Sequence, residues 1–287
     1  MNDYLIITDS SCDLPVSLAE ELGVKVIKLE FIIEGEGAKK NDAMDEKQFY
    51  ELLRSGKMVT TSAISMERFI SEVEPEVAAG HDVLYLGFSS GLSSTYNAGF
   101  LGAQELSEKY PDRKIYTVDT LAASMGQGLL VWYAANMQKE GKTIEEVRDF
   151  VEDNKLKLAH WFTVNDLFFL KRGGRVSAAT ALVGTMLNIK PVMHVDDEGH
   201  LIKVTTARGR KNAINALFEE VKKTAIDAAG QTMFISHGDC IEDAEYLAEK
   251  VKSELSVKDV IISYIGPVIG AHSGPGTLAL FFIGTNR

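Results

Sequence analysis

Short apolar segments alternate with helix-like segments along the first half of the chain, and this alternation constrains the fold more than any other feature. The apolar segments are YLIIT at 4–8, VKVIKLEFII at 24–33, DVLYLGF at 82–88 and KIYTVDT at 114–120. Each is interpreted as a β-strand, and the segments between them, such as 67–79 and 96–110, as helices. Strands joined by crossover helices pair in parallel. The first half is therefore predicted to be a mostly parallel sheet with flanking helices.

The second half differs in pattern. Residues 187–209 form two strand-like runs around a Glu198-Gly199 turn, which predicts a β-hairpin. Further strands are predicted at 232–239 and 257–266, and a glycine-rich turn followed by a last strand closes the chain. Because 287 residues exceed what one core usually organises, we expect two α/β domains, the second with a mixed sheet. The boundary is placed near 154–158, which divides the chain into 1–156 and 157–287.

Charge and composition exclude several classes of partner. The net charge is −11 and the chain has no basic run, which argues against nucleic acid and against anionic membrane surfaces. No apolar run approaches the ~20 residues of a membrane span, so we expect no stable membrane insertion. Cys12 and Cys240 lie far apart without metal-ligand spacing. They are interpreted as free thiols of a cytoplasmic protein, and neither a metal nor a cofactor is expected.

Three clusters of small polar residues follow predicted strands, at 9–11, 60–62 and 89–95. In an open α/β sheet, ligands bind beyond the carboxyl ends of the strands, where helix N-termini offer free N–H groups. Serine and threonine add hydrogen-bond donors there without adding charge. One helix cap needs a single such residue, whereas segment 89–95 holds five hydroxyls. These clusters therefore predict a site for a small anionic or polar group, such as a carboxylate or a phosphate.

Two other functions use the same loops. GFSSG at 87–91 matches G-x-S-x-G, with Ser89 as nucleophile and with Asp239 and either His237 or His272 as partners, which is the hypothesis of a serine esterase. A nucleophile elbow needs its helix directly after the serine, but helical character begins only around Thr95. A phosphosugar- or nucleotide-binding protein is the second alternative, although neither the P-loop nor the G-x-G-x-x-G motif is present.

A compact basic group stands out on this acidic chain. Lys171, Arg172 and Arg175 flank a Gly-Gly pair. The group is interpreted either as a solvated loop or as a contact for an acidic partner.

Several motifs, in order along nearly the whole chain, resemble those of the DegV family of bacterial fatty-acid-binding proteins. The motifs are TDSSCDLP, TTSAIS, SSGLSSTYNAG, TVDT, DLFFLKRGGRVS, KPVMHVDDEGHL, ARGRKNA and GPVIGAHSGPGTLAL. The resemblance implies a two-domain α/β protein that holds one long-chain, palmitate-like fatty acid between its domains and performs no chemistry itself. It further implies that a separate fatty acid kinase converts the presented acid to acyl phosphate for phospholipid synthesis.

The resemblance also implies site residues. Those expected to hold the carboxyl group are Thr61, Ser62, Gly91, Ser93, Ser94 and His272. From the compact basic group and the basic ARGR segment, Arg172, Arg175 and Arg208 are expected to contact the kinase. The sequence departs from the family pattern at three places, where Ala63-Ile64 replaces Gln-Pro, Ser94 replaces Gly and Thr206 replaces Lys. The first two departures concern head-group specificity and the third concerns partner contact.

The head group and the tail of the ligand are expected to contribute to binding in different ways. Neutral hydroxyls and backbone N–H groups are expected to hold the carboxyl without a fixed cation, and the tail to supply most of the affinity. At about 0.8 kcal/mol per buried CH₂, a palmitate-sized chain offers on the order of 10 kcal/mol before ordering costs. The residues predicted to line the tail slot are Trp161, Phe162, Phe168, Phe169, Leu182, Met186, Leu187, Met193, Phe281 and Phe282.

Overall fold

The computed structural model describes residues 4–177 and 188–287. Its strands are β1 (Tyr4–Asp9), β2 (Lys25–Ile27), β3 (Glu30–Ile33), β4 (Ala38–Lys40), β5 (Val59–Ser62), β6 (Asp82–Gly87), β7 (Ile115–Asp119), β8 (Leu158–Thr163), β9 (Ile189–Val195), β10 (Leu201–Arg208), β11 (Thr232–His237), β12 (Asp259–Tyr264) and β13 (Leu278–Ile283). Its α-helices are α1 (Val16–Leu22), α2 (Glu46–Arg54), α3 (Met66–Ala78), α4 (Thr95–Lys109), α5 (Met125–Lys139), α6 (Ile144–Asn154), α7 (Leu167–Arg172), α8 (Arg210–Thr224), α9 (Ile241–Leu255) and α10 (Pro267–Ser273). Among these helices, none has the length and apolar character needed to cross a membrane.

The first sheet confirms the predicted parallel arrangement. Its strand order is β2-β1-β6-β7, and every neighbouring pair is parallel. The central strands β1 and β6 are buried along nearly their whole length because helices cover both faces. Such strands carry continuous apolar runs instead of alternating ones, which is the pattern seen at 82–88.

The single strand predicted over 24–33 is wrong. The segment breaks at Lys28-Leu29 into β2, in the parallel sheet, and β3, in a second sheet of order β4-β3-β5. Ser10 explains the break in part, because its Oγ accepts a hydrogen bond from the backbone N–H of Leu29 at 2.9 Å. This second sheet is antiparallel and was not predicted. The hydroxyl cluster at 60–62 lies within its strand β5 and not at the end of a parallel strand.

The third sheet is mixed, as predicted for the second half. Its order is β10-β9-β8-β13-β11-β12, with β11 and β12 parallel and the other pairs antiparallel. The hairpin of β9 and β10 is confirmed, and Gly199 in its turn has φ +80°, a conformation that favours glycine. The predicted glycine-rich turn near the end is partly helical, because Pro267 opens α10 before the turn at Gly274–Gly276.

Helix α5 joins the two halves. It packs against β1 and β6 on one side and against β8, β11 and β13 on the other, so it lies between the parallel and the mixed sheet. Leu129, Leu130 and Val131 are fully buried there, in a core that includes Leu86 and Phe281. The predicted boundary near 154–158 falls between the strands of the two sheets, and the division into two domains stays a prediction.

Asp13 links the first loop to the end of the chain. Its backbone lies in the left-handed region, and its carboxylate accepts hydrogen bonds from the N–H of Gly266 at 2.9 Å and from Ser124 Oγ at 2.6 Å. Burial raises the pKa of this carboxyl from 3.8 to about 7. The protonation of Asp13 is therefore coupled to the packing of the two halves.

Candidate functional site

A cavity lies where the loops after β6 and β7 meet β5, β8, β13 and α10. It encloses about 910 Å³ of space free of protein atoms, counting the part that opens to solvent. Polar residues from three separate segments line it: Thr61, Ser62, Ser93, Ser94, Thr95 and His272. The structure thus brings together five of the six residues predicted to hold a carboxyl group.

Thr61 and His272 form a direct contact in this cavity. Thr61 Oγ1 and His272 Nε2 are 2.7 Å apart. Burial, with Arg175 and Arg172 nearby, lowers the pKa of His272 from 6.5 to about 4. The imidazole is therefore neutral at pH 7 and acts as a hydrogen-bonding group, not as a positive charge.

The loop before α4 presents a second pair of hydroxyls. Ser93 Oγ donates to Thr95 Oγ1 at 2.9 Å and accepts from the Thr95 N–H at 3.1 Å. Thr95 is the first residue of α4, which confirms the predicted helix start. Ser94, which precedes it, is exposed and forms no side-chain cap. The Ser93–Thr95 pair stands at a helix N-terminus, where an anion is favoured.

Arg175 adds a cation to a cavity where only neutral hydroxyls and backbone N–H groups were predicted. It lines the cavity, and its Nε and Nη2 donate to the carbonyl of Leu92 at 3.2 and 3.1 Å. Its Nη1 donates to the carbonyl of Gly173. Within the described ranges, Arg175 has no carboxylate partner. A half-buried guanidinium that bonds only to carbonyls leaves a net positive charge beside the hydroxyls.

Gly91 does not line the cavity. A Cβ at this position would lie 2.6 Å from the carbonyl oxygen of Glu198 and 2.9 Å from backbone atoms of Gly199. Glycine is thus required for the loop at 89–95 to pack against the β9–β10 turn. A direct contact between Gly91 and a carboxyl group stays a prediction.

The esterase alternative lacks its triad in the structure. Ser89 is fully buried, donates to the carbonyl of Gly199 at 2.9 Å and accepts from the Gly91 N–H at 3.2 Å. The histidines proposed as its base are engaged elsewhere, His272 with Thr61 and His237 Nδ1 with the N–H of Cys240 at 3.2 Å.

Asp239 is also bound elsewhere, since it pairs with Arg54 and accepts from Tyr264 OH at 3.2 Å. Among the residues that the structure describes, no proton-transfer chain therefore leads to Ser89, which holds the loop against the β9–β10 turn.

Apolar residues form most of the remaining cavity wall. They include Phe88, Leu92, Phe162, Leu170, Leu201 and Ala279. Of the residues predicted for the tail slot, Phe162 lies in this wall. The others that the structure describes do not: Trp161, Met193, Phe281 and Phe282 are buried in the core, Phe168 is half exposed, and Phe169 packs under Gly274. The predictions for Leu182, Met186 and Leu187 lie outside the described residues.

The polar cluster at 9–11 has a structural role. Asp9 accepts hydrogen bonds from Ser11 N, Tyr85 OH and Phe88 N, each at 3.0–3.1 Å. These contacts tie the end of β1 to the end of β6. The cluster therefore stabilises the loop after β1, and none of its residues lines the cavity.

The other basic residues that were considered as partner contacts lie at the surface. Lys171 and Arg172, at the end of α7, rest over the rings of Phe168 and Phe169 at 5.7 and 4.7 Å. Arg208 ends β10 and is exposed. The structure does not join these three residues in one side-chain cluster, and their contact with a partner stays a prediction.

One group of possible metal ligands occurs in the described ranges, formed by Asp196, Glu198 and His200 in the β9–β10 turn. Asp196 Oδ1 already accepts from the backbone N–H groups of Glu198 and His200 at 3.0 and 2.8 Å. These hydrogen bonds stabilise the turn, and the turn accounts for the proximity of the three side chains.

Four further polar residues line the cavity without having been predicted from the sequence: Ser124, His160, Ser273 and Thr277. Ser124 has φ +53° and pairs with Ser236 Oγ at 2.9 Å. Ser273 follows the predicted His272, and its buried hydroxyl has no hydrogen-bond partner in the described residues. Proximity to His272 was the only available signal for Ser273, and no local pattern marks His160.

Comparison with known proteins agrees with this architecture. The sequence model described as "Uncharacterised protein, DegV family" matches residues 4–285. A DegV domain-containing protein from Clostridium perfringens is 47% identical over 291 residues, which covers 100% of this chain and 99% of that protein.

Solved structures extend the similarity to the fold. A DegV lipid-binding protein from Thermotoga maritima has a TM-score of 0.87 and 31% identity, covering 99% of both chains. A second Thermotoga maritima protein, described as revealing fatty acid binding function, has a TM-score of 0.84 and 31% identity, with 98% of this chain and 99% of that one covered. A Thermus thermophilus protein described by fatty acid binding has a TM-score of 0.86 at 31% identity, covering 97% of this chain and 98% of that one. The chain therefore belongs to the DegV family.

Proposed function

We propose that this protein binds one long-chain fatty acid in the cavity, with the carboxyl group at the polar end and the tail along the apolar wall. The observation that supports this most directly is the pairing of two features in one cavity. At one end, Arg175 has no carboxylate partner among the described residues and lies beside neutral hydroxyls, and most of the remaining wall is apolar. An amphiphilic anion satisfies both. The fatty-acid-binding descriptions of the solved relatives support the same ligand class.

The head group would be held by donors that are already ordered. Thr61 and the Ser93–Thr95 pair offer hydroxyls, and Arg175 offers charge. Hydrogen bonds to a charged group are worth roughly 1.5–3 kcal/mol each. A phosphate ester would satisfy the polar end equally, but a phosphosugar would leave the apolar wall against a polar ligand. This mismatch favours a fatty acid over a phosphosugar.

Identification of the bound lipid and a paired variant test the proposal. Mass spectrometry of lipid extracted from the purified protein should show a long-chain monocarboxylic acid. Titration calorimetry on delipidated protein should then show that T61A combined with S93A weakens palmitate binding about 100-fold or more, since two charged hydrogen bonds are lost.

The control is T60A, which changes an exposed hydroxyl on the same strand. Successive residues of a strand face opposite sides, so Thr60 points away from Thr61 and T60A should leave the affinity unchanged. Equal affinity of the double variant and the wild type would remove the carboxyl assignment.

We further propose that the protein presents the bound acid to a separate fatty acid kinase in the cytoplasm, for acyl-phosphate formation and phospholipid synthesis. The resemblance to DegV proteins motivates the partner. Short helix α7 supports the location, because its Leu170 lines the cavity while Lys171 and Arg172 are exposed. Charged residues at an interface rim mainly tune the rate of encounter and the choice of partner.

Phosphorylation assays with a purified fatty acid kinase test this role. R172A and R208A should keep the wild-type palmitate affinity but slow acyl-phosphate formation, and wild-type transfer should fall as salt rises. K258A is the control, because Lys258 precedes β12 at the end of the strand away from α10. Wild-type rates in both arginine variants would return these residues to the interpretation of a solvated surface.

A further inference from the structure

His160 is a buried polar side chain in the wall of the cavity. It is 4% exposed, and its ring centroid lies 4.6 Å from that of Phe281 and 5.8 Å from that of Phe162. Within residues 4–177 and 188–287, Nδ1 is enclosed without a hydrogen-bond partner, and Nε2, which is not among the enclosed atoms, has none either. A buried polar atom left unpaired costs about 1–3 kcal/mol. The described part of the chain therefore leaves the hydrogen-bonding capacity of this ring unused.

Strand geometry places His160 far from the head-group end. Thr277 marks that end, because its hydroxyl donates to the carbonyl of Ser273, next to His272. Phe281, which pairs with His160 across the sheet, lies four residues further along the same strand direction. At about 3.3 Å per residue, this separation is about 13 Å.

The wall between these two points is apolar. Ala279 pairs with Phe162 across β13 and β8, and both line the cavity. Alternate residues of a strand share a face, so Phe162 and His160 follow each other along the same wall. A bound tail would pass the apolar pair before it reaches the imidazole.

The surroundings of His160 decide which nitrogen faces the cavity. Nδ1 is buried against Gly126, where a Cβ would lie 3.4 Å from it. Buried N–H groups without a partner are rarer than unpaired acceptors. We therefore assign the unprotonated, acceptor role to the enclosed Nδ1. The proton then lies on Nε2, at the ring edge left to the cavity.

We propose that the cavity selects an acyl chain that carries an oxygen atom, such as a hydroxyl or keto group, and that Nε2–H of His160 donates a hydrogen bond to that oxygen. This inference rests on the proposed fatty-acid binding and specifies the class of acid. A plain hydrocarbon tail would leave the N–H unpaired. An oxygen well beyond the carboxyl group would accept this hydrogen bond, which replaces one that the oxygen made to water.

Binding of stearic acid and of a series of monohydroxystearic acids to delipidated protein tests the selection. The wild type should bind at least one isomer about tenfold more tightly than stearic acid. H160L should reverse this preference, because leucine offers no hydrogen-bond donor and packs favourably against a plain hydrocarbon chain. H160Q retains a donor near the position of Nε2 and should restore part of the preference. Thermal melts of both variants establish that they fold.

The possible binding results distinguish failure of this inference from failure of the proposed function. If every hydroxy acid binds the wild type no better than stearic acid does, the inference is overturned, and an ordered water on His160 explains the ring instead. A preference that persists in H160L also overturns it, because another residue then reads the oxygen. If neither stearic acid nor any hydroxy acid binds the wild type, the proposed function itself fails.

Discussion

Replacement of Arg175 by glutamine separates a charge effect from a packing effect at the head-group end. Arg175 lines the cavity and, within the described ranges, has only the carbonyls of Leu92 and Gly173 as partners. A ligand carboxylate would become its counter-ion. The loss of one charge-assisted hydrogen bond is worth roughly 1.5–3 kcal/mol. At about 1.4 kcal/mol per tenfold, R175Q should weaken palmitate binding by about 10- to 100-fold.

The assay compares two ligands by titration calorimetry on delipidated protein. Palmitate carries the charge, and hexadecanol has the same chain without it. Because Arg175 also holds Leu92, R175Q will shift the loop at 89–95 for both ligands, and only the difference between them reports the charge. K171Q removes an exposed cation from the neighbouring helix end and serves as the control. An equal loss for palmitate and hexadecanol, or no loss for either, would refute the assignment of Arg175 to the carboxylate.

Three further predictions concern positioning, pH and catalysis. G173A should weaken palmitate binding, measured by calorimetry, because a Cβ there would lie 2.2 Å from His272 Nδ1 and would push the imidazole away, whereas G37A, in open space, should change nothing. In thermal and denaturant melts, the wild type should lose about 2 kcal/mol of stability between pH 5.5 and pH 8 that D13N does not lose. The folded pKa of Asp13, about 7, exceeds its unfolded value of 3.8, so this stabilisation is complete below the unfolded value and is lost as the pH rises through 7. The purified protein should show no ester hydrolysis that S89A abolishes; turnover that disappears in S89A would restore the esterase hypothesis.

Local patterns in the sequence were sufficient for much of the architecture. The alternation of apolar strands and helices predicted the parallel sheet, since each crossover depends only on neighbouring segments. The Glu198-Gly199 turn predicted the β9–β10 hairpin for the same reason. The density of hydroxyls at 89–95 marked the loop that lines the cavity. The break at Lys28-Leu29 was not visible, because the apolar run continues through it and the contact that helps end β2 comes from Ser10.

Only the tertiary structure decided which of these residues act together. Thr61 and His272 are 211 positions apart and become partners because β5 and α10 pack side by side. Arg175 was interpreted from its charge as a surface residue, but in the structure it lines the cavity and bonds to the carbonyl of Leu92. His160 resembles an ordinary strand residue in sequence. Whether a buried polar group is paired depends on what packs around it from distant parts of the chain, and no local pattern records that.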